Sequence, residues 1–259
     1  MSDLIQLKGG FETSDPRLDR LPQFDERSRG WPVREVDRFS LAPVSRTWQL
    51  PIRLDQGREG ACVGFSRSHD LAALPAAARG ITNQTAQHLY EVARTLDEWP
   101  GEDYDGTSVL AGVKAARQEG YIGEFRWAFS IDDVLGAISS VGSVAFGLWW
   151  MDSMFDTQPD GTLDTSGSKA GGHAIIGRSV LYPRSGWVRA TRTFHGVKAP
   201  VKIKTGEPVV GLANSWAEGW GILGEGFIHA SRLEALLKDD GEACVSTVAF
   251  AKPRAAQAA

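Results

Sequence analysis

Cys62 ends the run Gln56-Gly57-Arg58-Glu59-Gly60-Ala61-Cys62, and far downstream stand Gly172-His173-Ala174 and then Asn214-Ser215-Trp216. Gln, Cys, His and Asn in that order are the parts that thiol-based acyl transfer requires. A thiolate attacks a carbonyl, and an imidazole takes and returns the proton. A third polar group fixes the imidazole's tautomer, and a donor ahead of the nucleophile stabilises the oxyanion. Cys62, Phe65, Ser66, His69, Ala72 and Ala73 recur at helical spacing, while the two glycines before Cys62 read as loop. Cys62 is therefore predicted at a loop-to-helix junction. There the helix N-terminus and a nearby His⁺ favour thiolate, and the Cys62 N–H is free to face a ligand. Gln56, six residues earlier, is placed to turn its amide N–H toward the same point, so that two donors converge on one oxyanion.

Each residue has an ordinary alternative reading. A lone Cys before a helix is usually a small buried residue, a lone His on an apolar strand usually a satisfied one, and Asn214 a turn cap. The four in order outweigh those readings for Cys62, His173, Asn214 and Gln56. Cys244, inside Ala243-Cys244-Val245, reads as a buried strand residue. His69, His88, His195 and His229 make no zinc spacing with either cysteine, so no metal and no cofactor are expected.

The sequence resembles the papain-like cysteine peptidases, over roughly residues 45 to 237. The resemblance rests on Gln56-Gly57 before Cys62-Val63-Gly64-Phe65-Ser66, His173-Ala174-Ile175-Ile176-Gly177, Asn214-Ser215-Trp216 and Trp220-Gly221, with weaker support from Leu89-Tyr90 and Gly106-Thr107-Ser108. It implies an α+β fold of two lobes, one helical and one an antiparallel β-barrel-like lobe, with the active site in the cleft between. It implies that Cys62 is the nucleophile, His173 the general acid/base, Asn214 its orienting partner and Gln56 an oxyanion donor. Trp216 would shield the Asn214–His173 contact from water; Gly172 and Trp216 are read as substrate-binding positions. The sequence departs from secreted relatives at Val63, where Trp is usual, at Gly172, where Asn or Asp is usual, and in a 182–208 insertion. The expected partner is a peptide or protein substrate, with a regulatory partner left open. Two rival readings remain: a catalytically idle papain-like binding or structural module, and a thiol amidase or transglutaminase-type acyl transferase.

The 259 residues carry a net charge of −4, so no global basic field argues for nucleic acid. Arg184 to Arg192 reads as a solvated hairpin face. No apolar run reaches the ~18 residues of a membrane span, and Val141 to Met151 reads as a buried strand. With Cys62 assigned to chemistry, Cys244 has no disulfide partner, and the N-terminus lacks a signal-peptide pattern. The expected location is cytoplasmic, bacterial or phage-infected.

Residues 1–44, polar and proline-punctuated, are read as an N-terminal arm too short for a conventional inhibitory propeptide, though able to cover the cleft. Residues 45–252 are read as the catalytic domain, its helical lobe about 60–140 and its β lobe about 141–252; 253–259 are read as a disordered tail. Helices are predicted over Gln84–Leu96, Val109–Glu119 and from Asp132. Strands are predicted over 141–150, 173–181, 187–194, 208–214 and 244–250. The loop 156–172 is read as a possible flap.

Overall fold

The structure is a computed structural model that describes residues 4–99 and 101–250. In chain order its strands are β1 (Ile5–Gln6), β2 (Glu12–Thr13), β3 (Arg46–Thr47), β4 (Ile122–Trp127), β5 (Val144–Met151), β6 (Lys169–Leu181), β7 (Trp187–Phe194), β8 (Val197–Lys204), β9 (Val209–Ala213), β10 (Glu225–His229) and β11 (Glu242–Ala249). The helices are α1 (Cys62–Ala72), α2 (Asn83–Leu96), α3 (Val109–Gln118), α4 (Ile131–Ser140) and α5 (Ala230–Lys238). The tail read as disordered lies outside the described residues.

Helices α2, α3 and α4 begin where a hydroxyl satisfies an orphan backbone donor. Thr82, Ser108 and Ser130 accept from the N–H groups of Thr85, Ala111 and Asp133 at 3.3, 3.0 and 3.1 Å. Helix α1 has no such cap. It is buried along its whole length, because Gly64 admits α2: a Cβ there would lie 2.2 Å from the Ala86 carbonyl oxygen. Burial favours partners for the polar residues of α1, and most have one, though the Ser68 hydroxyl does not. Arg67 pairs with Asp70 at 2.7 Å, Asp70 also accepts from Ser143 and Ser246, and His69 Nε2 accepts the Leu54 N–H at 3.0 Å.

One sheet runs β10-β9-β6-β5-β11-β4, with β3 also on β6. It is open, with β10 and β4 at its ends, rather than closed into a barrel. Period-two alternation divides its side chains between two cores. Ala145, Ala174, Ile176 and Cys244 join the cluster built by α1, α2 and α3. Phe146, Leu148, Trp150, Ile175, Val210 and Leu212 join the one covered by α4 and α5.

Strands β7 and β8 form a separate hairpin in the predicted insertion. Its inner side chains Val188, Val201 and Ile203 close a third small core with Phe227. Arg192 corrects the solvated-face reading, since it is buried on the inner side of β7. Sequence periodicity did not pick out β4, β10 or α5. The first two, Ile122–Trp127 and Glu225–His229, mix glycine and charged or polar residues with apolar ones, so neither shows the apolar run that marks the equally short β9. Strand β6 begins four residues before its predicted start, within the glycine-rich stretch before His173.

The N-terminal arm is no loose extension. Leu18, Leu21 and Val33 are buried, and β1 pairs with β2. Among the described residues no helix is long and apolar enough to cross a membrane. Both cysteines are free thiols.

Candidate active site

Cys62 is the first residue of α1, after a loop in which Gly57 takes the left-handed φ of 61°. Its sulfur is fully buried and accepts the Ala174 N–H at 3.2 Å. That contact fixes β6 against the helix start, and His173 is the preceding residue of the same strand. The pairing of Ile176 with Ala213 brings the next residue of the chain, Asn214, beside His173. Asn214 Oδ1 lies 2.8 Å from His173 Nε2 and also accepts the Ser215 N–H at 2.8 Å. An oxygen already accepting from a backbone N–H accepts from the imidazole too. The ring proton therefore sits on Nε2, and Nδ1 makes no hydrogen bond of ordinary geometry, with the Arg17 carbonyl near enough to act on the ring.

Aromatic rings exclude water from this pair. The Trp150 and Trp216 rings lie 4.7 and 5.0 Å from the imidazole, and Phe155 stacks on Trp216. Trp220 packs on both tryptophans and donates to the Phe155 carbonyl at 2.9 Å. Burial lowers His173 to about 4; the Asn214 hydrogen bond opposes this and the Arg17 charge adds to it. The imidazole is therefore neutral near pH 7.

The arm passes through the site. Asp19 Oδ1 accepts the Cys62 N–H at 3.2 Å and the thiol of Cys62 at 3.0 Å. The segment is pinned from both sides. The Arg20 N–H donates to the Gly172 carbonyl at 3.0 Å, the Thr107 N–H donates to the Asp19 carbonyl at 3.3 Å, and the Leu21 N–H donates to the Thr107 carbonyl at 2.8 Å. A Cβ on Gly172 would lie 1.9 Å from the Arg20 carbonyl oxygen. Arg17 lays its guanidinium 4.2 Å above the Trp216 ring.

Gln56 is beside the site with its amide engaged. Nε2 donates to the Arg17 carbonyl at 3.2 Å and the Glu59 carbonyl at 2.7 Å, while Oε1 accepts from Ser215 Oγ at 2.6 Å. Both expected oxyanion donors thus already hold arm oxygens. The expectation of a thiolate at Cys62 is corrected for this state. Burial, the adjacent Asp19 charge and the hydrogen bond to it push the thiol well above its ordinary 9.0. Burial raises Asp19 itself to about 6, against the lowering effect of its bonds with Cys62 and Tyr90.

The structure thus brings Cys62, His173, Asn214, Gln56, Gly172 and Trp216 together. Cys244 stands apart on β11, and burial raises its thiol to about 12. Among the described residues no cluster suited to a metal ion occurs. Asp19 and Arg17 were not picked out in the sequence, and Thr107 only within Gly106-Thr107-Ser108 as weaker support for the resemblance. Asp19 lies among alternating charges and prolines, where nothing local marks a buried carboxylate.

No protein-family model matches the chain, and no curated protein matches it. Solved structures do. Procathepsin L 3 of Tenebrio molitor aligns with a TM-score of 0.55 and 14% identity, covering 90% of this chain and 75% of that one. A recombinant stem bromelain precursor aligns with a TM-score of 0.51 and 12% identity, covering 90% and 78%. Xylellain, a cysteine protease from Xylella fastidiosa, aligns with a TM-score of 0.50 and 12% identity, covering 84% and 91%. The chain has the papain-like cysteine protease fold.

Proposed function

We propose that this protein is a cysteine peptidase held in a self-blocked resting state by residues 15–21. The observation that carries the reading is the buried, Asn214-bound imidazole of His173, its Nδ1 in no hydrogen bond of ordinary geometry, one residue from the N–H that touches Cys62 Sγ. A binding module has no physical need for that arrangement.

With the arm withdrawn, water and substrate reach the site, and Asp19 no longer raises the thiol. His173 Nδ1 takes the Cys62 proton, and Asn214 Oδ1 stabilises the imidazolium through Nε2–H. The thiolate adds to the peptide carbonyl, forming a C–S bond and an oxyanion that the Cys62 N–H and Gln56 Nε2 receive. Collapse breaks the C–N bond, and His173 returns its proton to the departing amine. Water, deprotonated by the same nitrogen, then hydrolyses the thioester. Gly172 offers a carbonyl, and Thr107 a carbonyl and an N–H, to an extended chain once the arm leaves. A location in a reducing compartment fits a chain whose two cysteines are both unpaired.

The test is peptide hydrolysis by the chain shortened by residues 1–44, which no longer carries the arm. Cys62→Ala and His173→Ala in that background are expected to abolish turnover with the fold retained. Asn214→Ala removes one hydrogen bond to the imidazole and is expected to cost roughly ten-fold. Activity surviving Cys62→Ala would overturn the reading. The idle-module alternative draws support from the Asp19 contact with the nucleophile. Rapid alkylation of Cys62 in the shortened chain, without hydrolysis of any peptide in a broad library, would favour that alternative.

A further inference from the structure

Away from the cleft, three arginines converge on one carboxylate. Glu225, at the start of β10, has a fully buried side chain. Its Oε1 accepts from Arg53 Nη2 and from Arg178 Nε and Nη2, and its Oε2 lies 2.9 Å from Arg192 Nε. The side chains of Arg53, Arg178 and Arg192 are 2, 6 and 2% exposed. Their remaining donors go to neutral groups. Arg53 reaches the Leu223 and Ile52 carbonyls, Arg178 the Trp48 carbonyl, and Arg192 the hydroxyls of Ser179 and, at 3.4 Å, Thr47. Buried positive charge thus exceeds buried negative charge by two. A further carboxylate that acts on Arg53, Glu218, is half exposed and lies 3.8 Å from His195.

Uncompensated buried charge is costly, on the order of several kcal/mol per ion. Here it borders a cavity of about 420 Å³ lined by Arg178 and Arg192 with Thr47, Gln49, Thr191 and His195. The hairpin beside it strengthens the field. Between Tyr182 and Gly206 the chain has six Lys and Arg residues and no acidic one, in a protein whose net charge is −4. The excess reaches inward too. Burial first, then the charges of Arg53 and Arg178, depress His69 to about 3. Burial likewise holds Arg192 down to about 10, with Arg178 and Arg53 adding to it against Glu225.

We propose that this cavity binds a tetrahedral oxyanion of the phosphate class, which neutralises the excess charge of the Arg53, Arg178 and Arg192 cluster. Planar guanidinium groups suit such an anion, and the threonine hydroxyls at the rim add neutral donors. Bound there, the anion would tie β7 and the Thr47–Pro51 segment to β6.

The test is isothermal titration of the full chain with inorganic phosphate, together with thermal unfolding in phosphate against chloride at matched ionic strength. One saturable site is expected, with Tm raised by about 3–6 °C at a hundred-fold excess over Kd. Arg192→Gln is expected to weaken binding at least ten-fold. Should that variant fold poorly, Thr191→Glu, at an exposed position, is expected to supply a competing carboxylate and abolish the response. A phosphate monoester that competes with the free ion identifies a carried phosphate group as the ligand; one that does not identifies the free ion. A Tm rise that never saturates, or that is equal in Thr191→Glu, overturns the proposal, because general exclusion of phosphate from protein surfaces acts that way.

Discussion

At Asp19 one carboxylate oxygen holds both the N–H and the thiol of Cys62, and no cation faces it. Its other oxygen has no hydrogen-bond partner that satisfies ordinary geometry. The consequence for pH follows from the sign of its shift. In the folded chain Asp19 titrates at about 6, against 3.8 when free. Folding therefore takes up a proton between those values. Stability falls as pH rises through that window and stays reduced above it, by at most about 3 kcal/mol. Asp19→Asn keeps the shape without the charge. Its Tm is expected to exceed that of the parent at pH 8 and to converge on it near pH 4, a difference that thermal melts at both pH values will read. A difference independent of pH would show that the carboxylate is not ionised in place. His173, present in both chains, contributes to neither side of this comparison to first order.

Among the elements, β6 does most to assemble the site. Its residues 172 to 174 supply, in sequence, a carbonyl to the arm, the imidazole, and the N–H that rests on the sulfur. Gly172 has no side chain where Arg20 passes, and its φ lies outside the left-handed region, so alanine suits the backbone. Gly172→Ala places a Cβ 1.9 Å from the Arg20 carbonyl oxygen and must displace the arm, the side chains of Cys62, His173 and Asn214 being unchanged. Cys62 alkylation at neutral pH is expected to accelerate at least ten-fold over the parent, with Cys244 unlabelled as internal control. An unchanged rate would mean that the arm does not limit access to the thiol.

For the molecule as a whole, the arm belongs to the core it covers. Arg20 forms a buried ion pair with Glu242 at 2.7 Å and donates to the Asp240 carbonyl at 2.8 Å. Leu18 packs with the sheet, and Lys8 reaches Asp97 at 3.1 Å. Removing residues 1–44 strands Glu242 and Asp97 without their cations, and breaking one such buried pair costs about 3–5 kcal/mol. The truncated chain is therefore expected to unfold at clearly lower urea than Gly172→Ala, although both expose the cleft. Equal urea midpoints would mean that the arm is only a cover.

The sequence by itself determined which chemistry-bearing residues exist and where the helices begin. The order of Gln56, Cys62, His173 and Asn214 is a local record, because each proposed role needs a particular functional group. The hydroxyl caps at Thr82, Ser108 and Ser130 and the periodicity behind them are local too. What the sequence did not contain was the pairing between distant segments. Asp19 meets Cys62 across 43 positions and Glu225 gathers Arg53, Arg178 and Arg192 from one loop and two strands. Strands β4 and β10 were illegible because their glycine and charged or polar residues break any apolar run, so they take their stability from their neighbours, whereas the apolar run of β9 was legible. Whether the thiol is a thiolate or a blocked thiol was likewise a tertiary decision. The residues set which charges exist, and only the folded chain sets which of them are buried together.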